Sequence, residues 1–134
     1  MKMTGFEDLF SEEKGFFQSE LKVCEAGHLE MEIRVNEVNA NPYGMAHGGY
    51  LFSICDNVAG IVGYTLGSYV VSQQASISYL SPAKIDEVLS VCGRCIHDGG
   101  RSKVVETEIR NEKQKLVCKG TFTLFPVKKV EDDV

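Results

Sequence analysis

One stretch of the chain concentrates the residues that could do chemistry. Asn41-Pro42 and Gly44 have turn character, His47-Gly48-Gly49 follows, and Asp56 stands seven positions after the last of those glycines. Residues 48–67 read as a helix. At 100° per residue, Leu51, Ile54, Cys55, Val58, Val62, Thr65 and Leu66 share one face, and Gly49, Ser53, Asp56, Gly60, Gly63 and Gly67 share the other. Each glycine inside a helix costs roughly 0.5–1 kcal/mol against alanine, so the small-residue stripe needs a reason. Two stand open. Gly60 and Gly63 are packing notches, or the stripe leaves room for a ligand that meets Asp56 and the helix start. A helix opening on Gly48-Gly49 presents free N–H groups and the positive end of its dipole, which suits an oxyanion or a carbonyl oxygen.

The elements that must position this stretch are mostly strands. A short helix is expected at about 4–17, with Thr4 and Glu7 spaced as a capping box and Phe6, Leu9 and Phe10 apolar. Residues 19–25 and 28–35 read as a hairpin turning at Ala26-Gly27. In its second strand Leu29, Met31, Ile33 and Val35 alternate with polar residues. A loop over 36–46 leads into the helix. Strands are expected at 69–80, 87–97, 101–111 and 115–126, with a turn at Asp98-Gly99-Gly100 and a frayed charged tail at about 127–134. In the first of these, Val71, Ala75, Ile77 and Tyr79 are placed on one face, and Ser72, Gln74, Ser76 and Ser78 on the other. One curled antiparallel sheet around one long helix buries every apolar face. That is an α+β architecture, read as a single domain over 1–134.

Composition narrows the function. With 14 basic and 19 acidic side chains the net charge is −5, and no basic run exceeds Lys128-Lys129, so nucleic acid is an unfavourable partner. No apolar run reaches the ~18–20 residues of a membrane span, and residues 1–10 lack the apolar core of a secretion signal, so a cytoplasmic location is expected. Five scattered cysteines fit reduced thiols. Cys92 and Cys95 have CxxC spacing, yet three positions apart in a strand they face opposite sides of the sheet. No metal site and no cofactor are expected. His28 and His97 sit near turns and read as surface residues.

The order of elements, the helix and the motif together resemble the hotdog-fold acyl-CoA thioesterases of the phenylacetate-degradation (PaaI) type. The residues that carry the resemblance are Asn41, Gly44, His47-Gly48-Gly49, Asp56, the segment Ile77-Ser78-Tyr79-Leu80-Ser81-Pro82-Ala83 and the Gly100-Arg101 turn. It covers roughly residues 20–126. It implies hydrolysis of an acyl-CoA thioester, with Asp56 as general base or nucleophile and the Gly49 N–H polarising the carbonyl. Asn41 would hold substrate or water, Ser72 would assist the water, and His47 is given a positioning role. Gly48, Gly60, Gly63, Tyr79, Met45 and Arg101 are the candidate substrate-binding residues, with Lys84 and Lys103 as further phosphate contacts. Other readings remain for several of these: Asp56 as a structural carboxylate, Asn41 as a turn residue, Tyr79 and Met45 as plain core. Two other functions also remain, a non-catalytic acyl-CoA-binding or regulatory module and a hotdog dehydratase or hydratase. The acyl group, and CoA against a carrier protein, stay open.

The spacing of Gly49 and Asp56 adds an expectation of its own. Seven helical residues separate them by roughly 10 Å along the axis, too far for both to serve one carbonyl carbon. Two copies packed with these helices antiparallel about a twofold axis would bring Gly49 of one chain to Asp56 of the other. An obligate homodimer, paired into a homotetramer, is therefore expected, with Asn41, His47 and Gly49 from one subunit and Asp56 and Ser72 from its partner.

Overall fold

The computed structural model describes residues 19–130. The helix expected at about 4–17 and residues 131–134 of the tail lie outside them. Strands β1 (Ser19–Glu25) and β2 (His28–Arg34) form the expected hairpin, and Gly27 takes φ +80° in its turn, a conformation open to glycine. Leu29, Met31 and Ile33 are buried along β2 between less buried polar residues, as its alternation requires. The loop that follows contains a short 3-10 turn, Glu37–Asn39, capped by the Asn36 side chain. Helix α1 (Gly48–Thr65) comes next, and then β3 (Ser68–Tyr79), β4 (Val88–Asp98), β5 (Lys103–Arg110) and β6 (Leu116–Lys129).

All strand pairs are antiparallel and the sheet order is β1-β2-β4-β5-β6-β3. The strand that leaves the helix thus forms one edge of the sheet. Helix α1 packs against β2 through β6, so the sheet curls round it in the hotdog arrangement. Two glycines let the backbones close. A Cβ at Gly93 would fall 2.5 Å from Val58, and one at Gly63 would fall 2.7 Å from Val70. Because the sheet wraps, α1 buries Tyr50, Ala59 and Ile61 as well as the stripe from Leu51 to Thr65. Full burial of a Val, Ile or Leu contributes about 1.5–3 kcal/mol, so this helix, with Ile54, Val58 and Val62 at 0 % exposure, is a main source of stability.

Two expectations are corrected here. Strand β6 continues to Lys129, paired through Tyr69↔Lys128 and Ser68↔Lys129, so residues 127–129 are not frayed tail. The start of β3 supplies the partners that the charged sequence alone did not suggest. Second, the register of β3 shifts between Ser72 and Gln74. This bulge inserts one residue and reverses the alternation. Val71 is 51 % exposed rather than inward, whereas Ala75 and Ile77 pack on the core.

Candidate active site

The entry to α1 is built by a loop that binds its own backbone. Asn41 Oδ1 accepts from the N–H groups of Tyr43 (2.9 Å) and Met45 (3.1 Å), and Asn41 N–H donates to the Met45 carbonyl at 2.7 Å. The turn role of Asn41 is therefore filled by its side-chain oxygen. Ala46 N–H donates to Ala83 at 2.8 Å and His47 N–H to Asn39 at 2.9 Å, which ties the helix start to the segment after β3. His47 is the N-cap residue, with an extended backbone and no side-chain capping bond. Leu51 N–H donates to the His47 carbonyl at 3.1 Å, so the N–H groups of Gly48 and Gly49 precede the helical ladder. Gly49 is exposed, with no atom within 4 Å of where its Cβ would lie. Asn41, Met45, Gly48, Leu51, Tyr79 and Pro82 are among the residues lining an open cleft of about 360 Å³ beside this terminus.

The carboxylate lies two turns further along. Asp56 is partly exposed, and Ser72 Oγ donates to its Oδ1 at 2.5 Å. The alternation placed Ser72 on the face opposite Tyr79. The β3 bulge between them turns both toward α1, and Tyr79 Oη donates to the Gly48 carbonyl at 2.9 Å. A bulge leaves no clear mark in an alternating sequence of serines and glutamines, so neither contact was readable together with the other. Two polar side chains on this side of the helix fold back on its backbone. Ser53 Oγ donates to the Gly49 carbonyl at 3.0 Å, and Asn57 Nδ2 to the Ser53 carbonyl at 2.8 Å.

The structure divides the expected substrate-binding residues. Gly60 has nothing within 4 Å of its Cβ position, so space remains beside it. Gly63 is corrected to a packing notch: it lies about 60° round the helix from Gly60, and Val70 fills its side. Arg101 is exposed in the β4–β5 turn, which the register Ser72↔Leu124↔Lys103 sets level with Ser72 rather than with Gly48. Lys103 is buried and ion-paired with Asp98, which withdraws it from the phosphate contacts. Lys84 lines an open groove with Lys113 and Lys115 that meets the cleft at Ser81 and Pro82.

His97 is exposed, but His28 is not the surface residue expected. Its ring lies between Glu25 (3.2 Å from Nδ1) and Glu30 (2.7 Å from Nε2), with only 17 % of the side chain exposed. The register Glu30↔Cys92 brings the Cys92 thiol close, so that His28, Glu30 and Cys92 have ligand-type atoms within 4.8 Å of one another. Arg94 completes this network beside Glu30 at 4.0 Å, and burial pushes the Cys92 thiol up against the pull of that guanidinium. Only cross-strand pairing assembles the group, which is why residue spacing did not show it.

A family model described as the thioesterase superfamily matches residues 43–118, which include the helix, Asp56 and Ser72. This chain belongs to the thioesterase superfamily. The 1,4-dihydroxy-2-naphthoyl-CoA hydrolase of Escherichia coli K12 is 30% identical over 98 residues, 71% of each chain. A hypothetical thioesterase protein from Streptococcus pneumoniae TIGR4, solved with coenzyme A, is 38% identical with a TM-score of 0.83, covering 85% of this chain and 92% of that one. Mutants of that protein with alanine at an aspartate and at a threonine have also been solved, and those two positions are spaced as Asp56 and Ser72 are here. The PaaI protein of Escherichia coli, at 20% identity, has the same fold, with a TM-score of 0.87 over 95% of this chain and 91% of that one. No helix among the described residues is long and apolar enough to cross a membrane.

Proposed function

We propose that this superfamily member hydrolyses acyl-CoA thioesters. The observation that carries the reading is the pairing of an exposed, uncapped helix start at Gly48-Gly49 with a hydroxyl-held carboxylate at Asp56 on the same helix. The Gly49 N–H takes the carbonyl oxygen and stabilises the charge that develops on it. Asp56 accepts a proton from water as that water attacks the carbonyl carbon, or attacks the carbon itself to give a mixed anhydride that water then cleaves. In either case the C–S bond breaks, and the CoA thiolate leaves and picks up a proton. Ser72 orients the carboxylate by donating to one of its oxygens. His47 and Asn41 shape the entry, and the acyl group lies on the open side of α1 near Gly60. Met45 and Tyr79 border the cleft, and Lys84 with Arg101 are candidates for the CoA phosphates. No metal or cofactor is assigned a step.

A second copy is part of the proposal. In one chain the Gly49 N–H and the Asp56 carboxylate are about 10 Å apart along the axis. Strand β3 is a sheet edge of 12 residues carrying exposed Tyr69 and Val71, the kind of edge that pairs with another chain. Pairing two β3 edges about a twofold axis sets two α1 helices side by side and antiparallel, with Gly49 of each near Asp56 of the other. A homodimer with two shared sites follows, and we infer a tetramer as its further assembly. Five free cysteines accord with a reducing, cytoplasmic location.

The test is a panel of acetyl-, medium-chain, long-chain and aryl-CoA thioesters with released thiol followed by a chromogenic disulfide. Release from at least one of them, lost in Asp56→Ala, is expected. CoA binding without turnover on any thioester would point instead to a binding module.

A further inference from the structure

The N–H of Gly49 and the C=O of Gly48 belong to one planar peptide unit. That carbonyl accepts the Tyr79 hydroxyl at 2.9 Å. We propose that Tyr79 is a positioning residue for the oxyanion donor: its hydroxyl fixes and polarises the peptide whose other end is the Gly49 N–H. The inference rests on the reading above, in which that N–H receives the thioester carbonyl.

Three observations make the contact more than a surface hydrogen bond. Gly48 lacks the side chain that would keep the ring away, since a Cβ there would fall 3.2 Å from Tyr79 Cζ and 3.5 Å from its oxygen. The phenol is presented from a fixed place, the last residue of β3, paired with Cys118 of β6. Beyond it Leu80 N–H donates to the Val117 carbonyl at 2.8 Å and Ser81 Oγ to the Leu116 carbonyl at 2.5 Å. The helix start has no side-chain cap of its own, and the Tyr79 hydroxyl is a side-chain contact made to its first turn from outside the helix. A peptide that accepts at its oxygen becomes a stronger donor at its nitrogen, because hydrogen bonds in a chain polarise one another. A tyrosine phenol keeps its proton at neutral pH, so the donor is present.

The role separates from simple packing by what it changes. Tyr79→Phe keeps the ring and removes the donor. It should lower kcat by roughly 3- to 10-fold while leaving KM within about twofold, the effect of one hydrogen bond felt in the transition state. Gly48→Ala, which crowds the ring at 3.2 Å and must shift it by a few tenths of an ångström, should act in the same direction but more weakly. The direct readout is the carbonyl stretch of an acyl-CoA bound to Asp56→Asn protein, where turnover is slow. The band should lie below that of the free thioester, and adding Tyr79→Phe should move it back toward the free value. A band unmoved by Tyr79→Phe, or an unchanged kcat, overturns the role of Tyr79 alone. A band that never shifts in Asp56→Asn overturns the Gly49 donor itself, and this inference with it.

Discussion

Two hydrogen bonds between strand β3 and helix α1 have opposite sense. At Asp56 a serine hydroxyl donates to one oxygen of a partly exposed side-chain carboxylate, an acceptor group. At Gly48 a phenol donates to a backbone carbonyl, and the groups left facing outward are donors. In the proposed function the first contact holds the base and the second the peptide of the oxyanion donor. Asp56 and the Gly49 N–H lie seven helical residues apart, and under the proposed function a single chain would carry half of two sites rather than the whole of one. The difference also separates two kinds of construction. Asp56 would act through a side chain, which can be deleted outright, whereas the Gly49 N–H is main chain and can be removed only by changing the backbone.

The largest effect is therefore expected at the base. Asp56→Asn keeps the size and a hydrogen bond from Ser72 but removes the proton acceptor, and should cost on the order of 10²–10⁴ in kcat. Circular dichroism should stay unchanged. Next comes the donor. Gly49→Pro deletes the N–H in the first helical turn, where proline is tolerated, and a loss of roughly 10²–10³ is expected. Gly49→Ala keeps the N–H and meets no atom of its own chain, so it should fold normally and be less damaged than the proline variant. Equal losses would show that crowding, not the donor, matters.

A third pair of substitutions sharpens the contrast along the small-residue stripe. Gly60→Leu enters open space and should lower activity on long or bulky acyl groups more than on acetyl-CoA. Gly63→Leu must displace Val70, so it should destabilise the fold by about 1–3 kcal/mol in denaturant titration and lower activity on every chain length alike. The smallest effect belongs to Ser72→Ala, an orienting hydroxyl, for which a loss of roughly 3- to 10-fold in kcat is expected. Chelator treatment should leave the rate unchanged.

Much of this was legible in the residues. The apolar stripe from Leu51 to Thr65 placed the helix, and the alternation of β2 placed the sheet's inner face. What alternation could not show was the point where it fails. The bulge after Ser72 brings Ser72 and Tyr79 to the same side, and no glycine or proline announces it. Helical azimuth grouped Gly60 with Gly63, yet the sheet curls far enough to bury one and leave the other open. The His28–Glu30–Cys92 network and the pairing of Lys103 with Asp98 arise from register and turn geometry, which a linear spacing does not contain.

The central claim is that each working site takes its donor from one copy and its base from another. Mixing Asp56→Ala chains with Gly49→Pro chains, each inactive alone, tests it most directly. In verified heterodimers, acyl-CoA hydrolysis should return to about half the wild-type rate per dimer, because one of the two sites then has both an intact Gly49 N–H and an intact Asp56. Verified heterodimers that remain as inactive as the parents, or a wild-type monomer with full activity at assay concentration, would contradict the shared site.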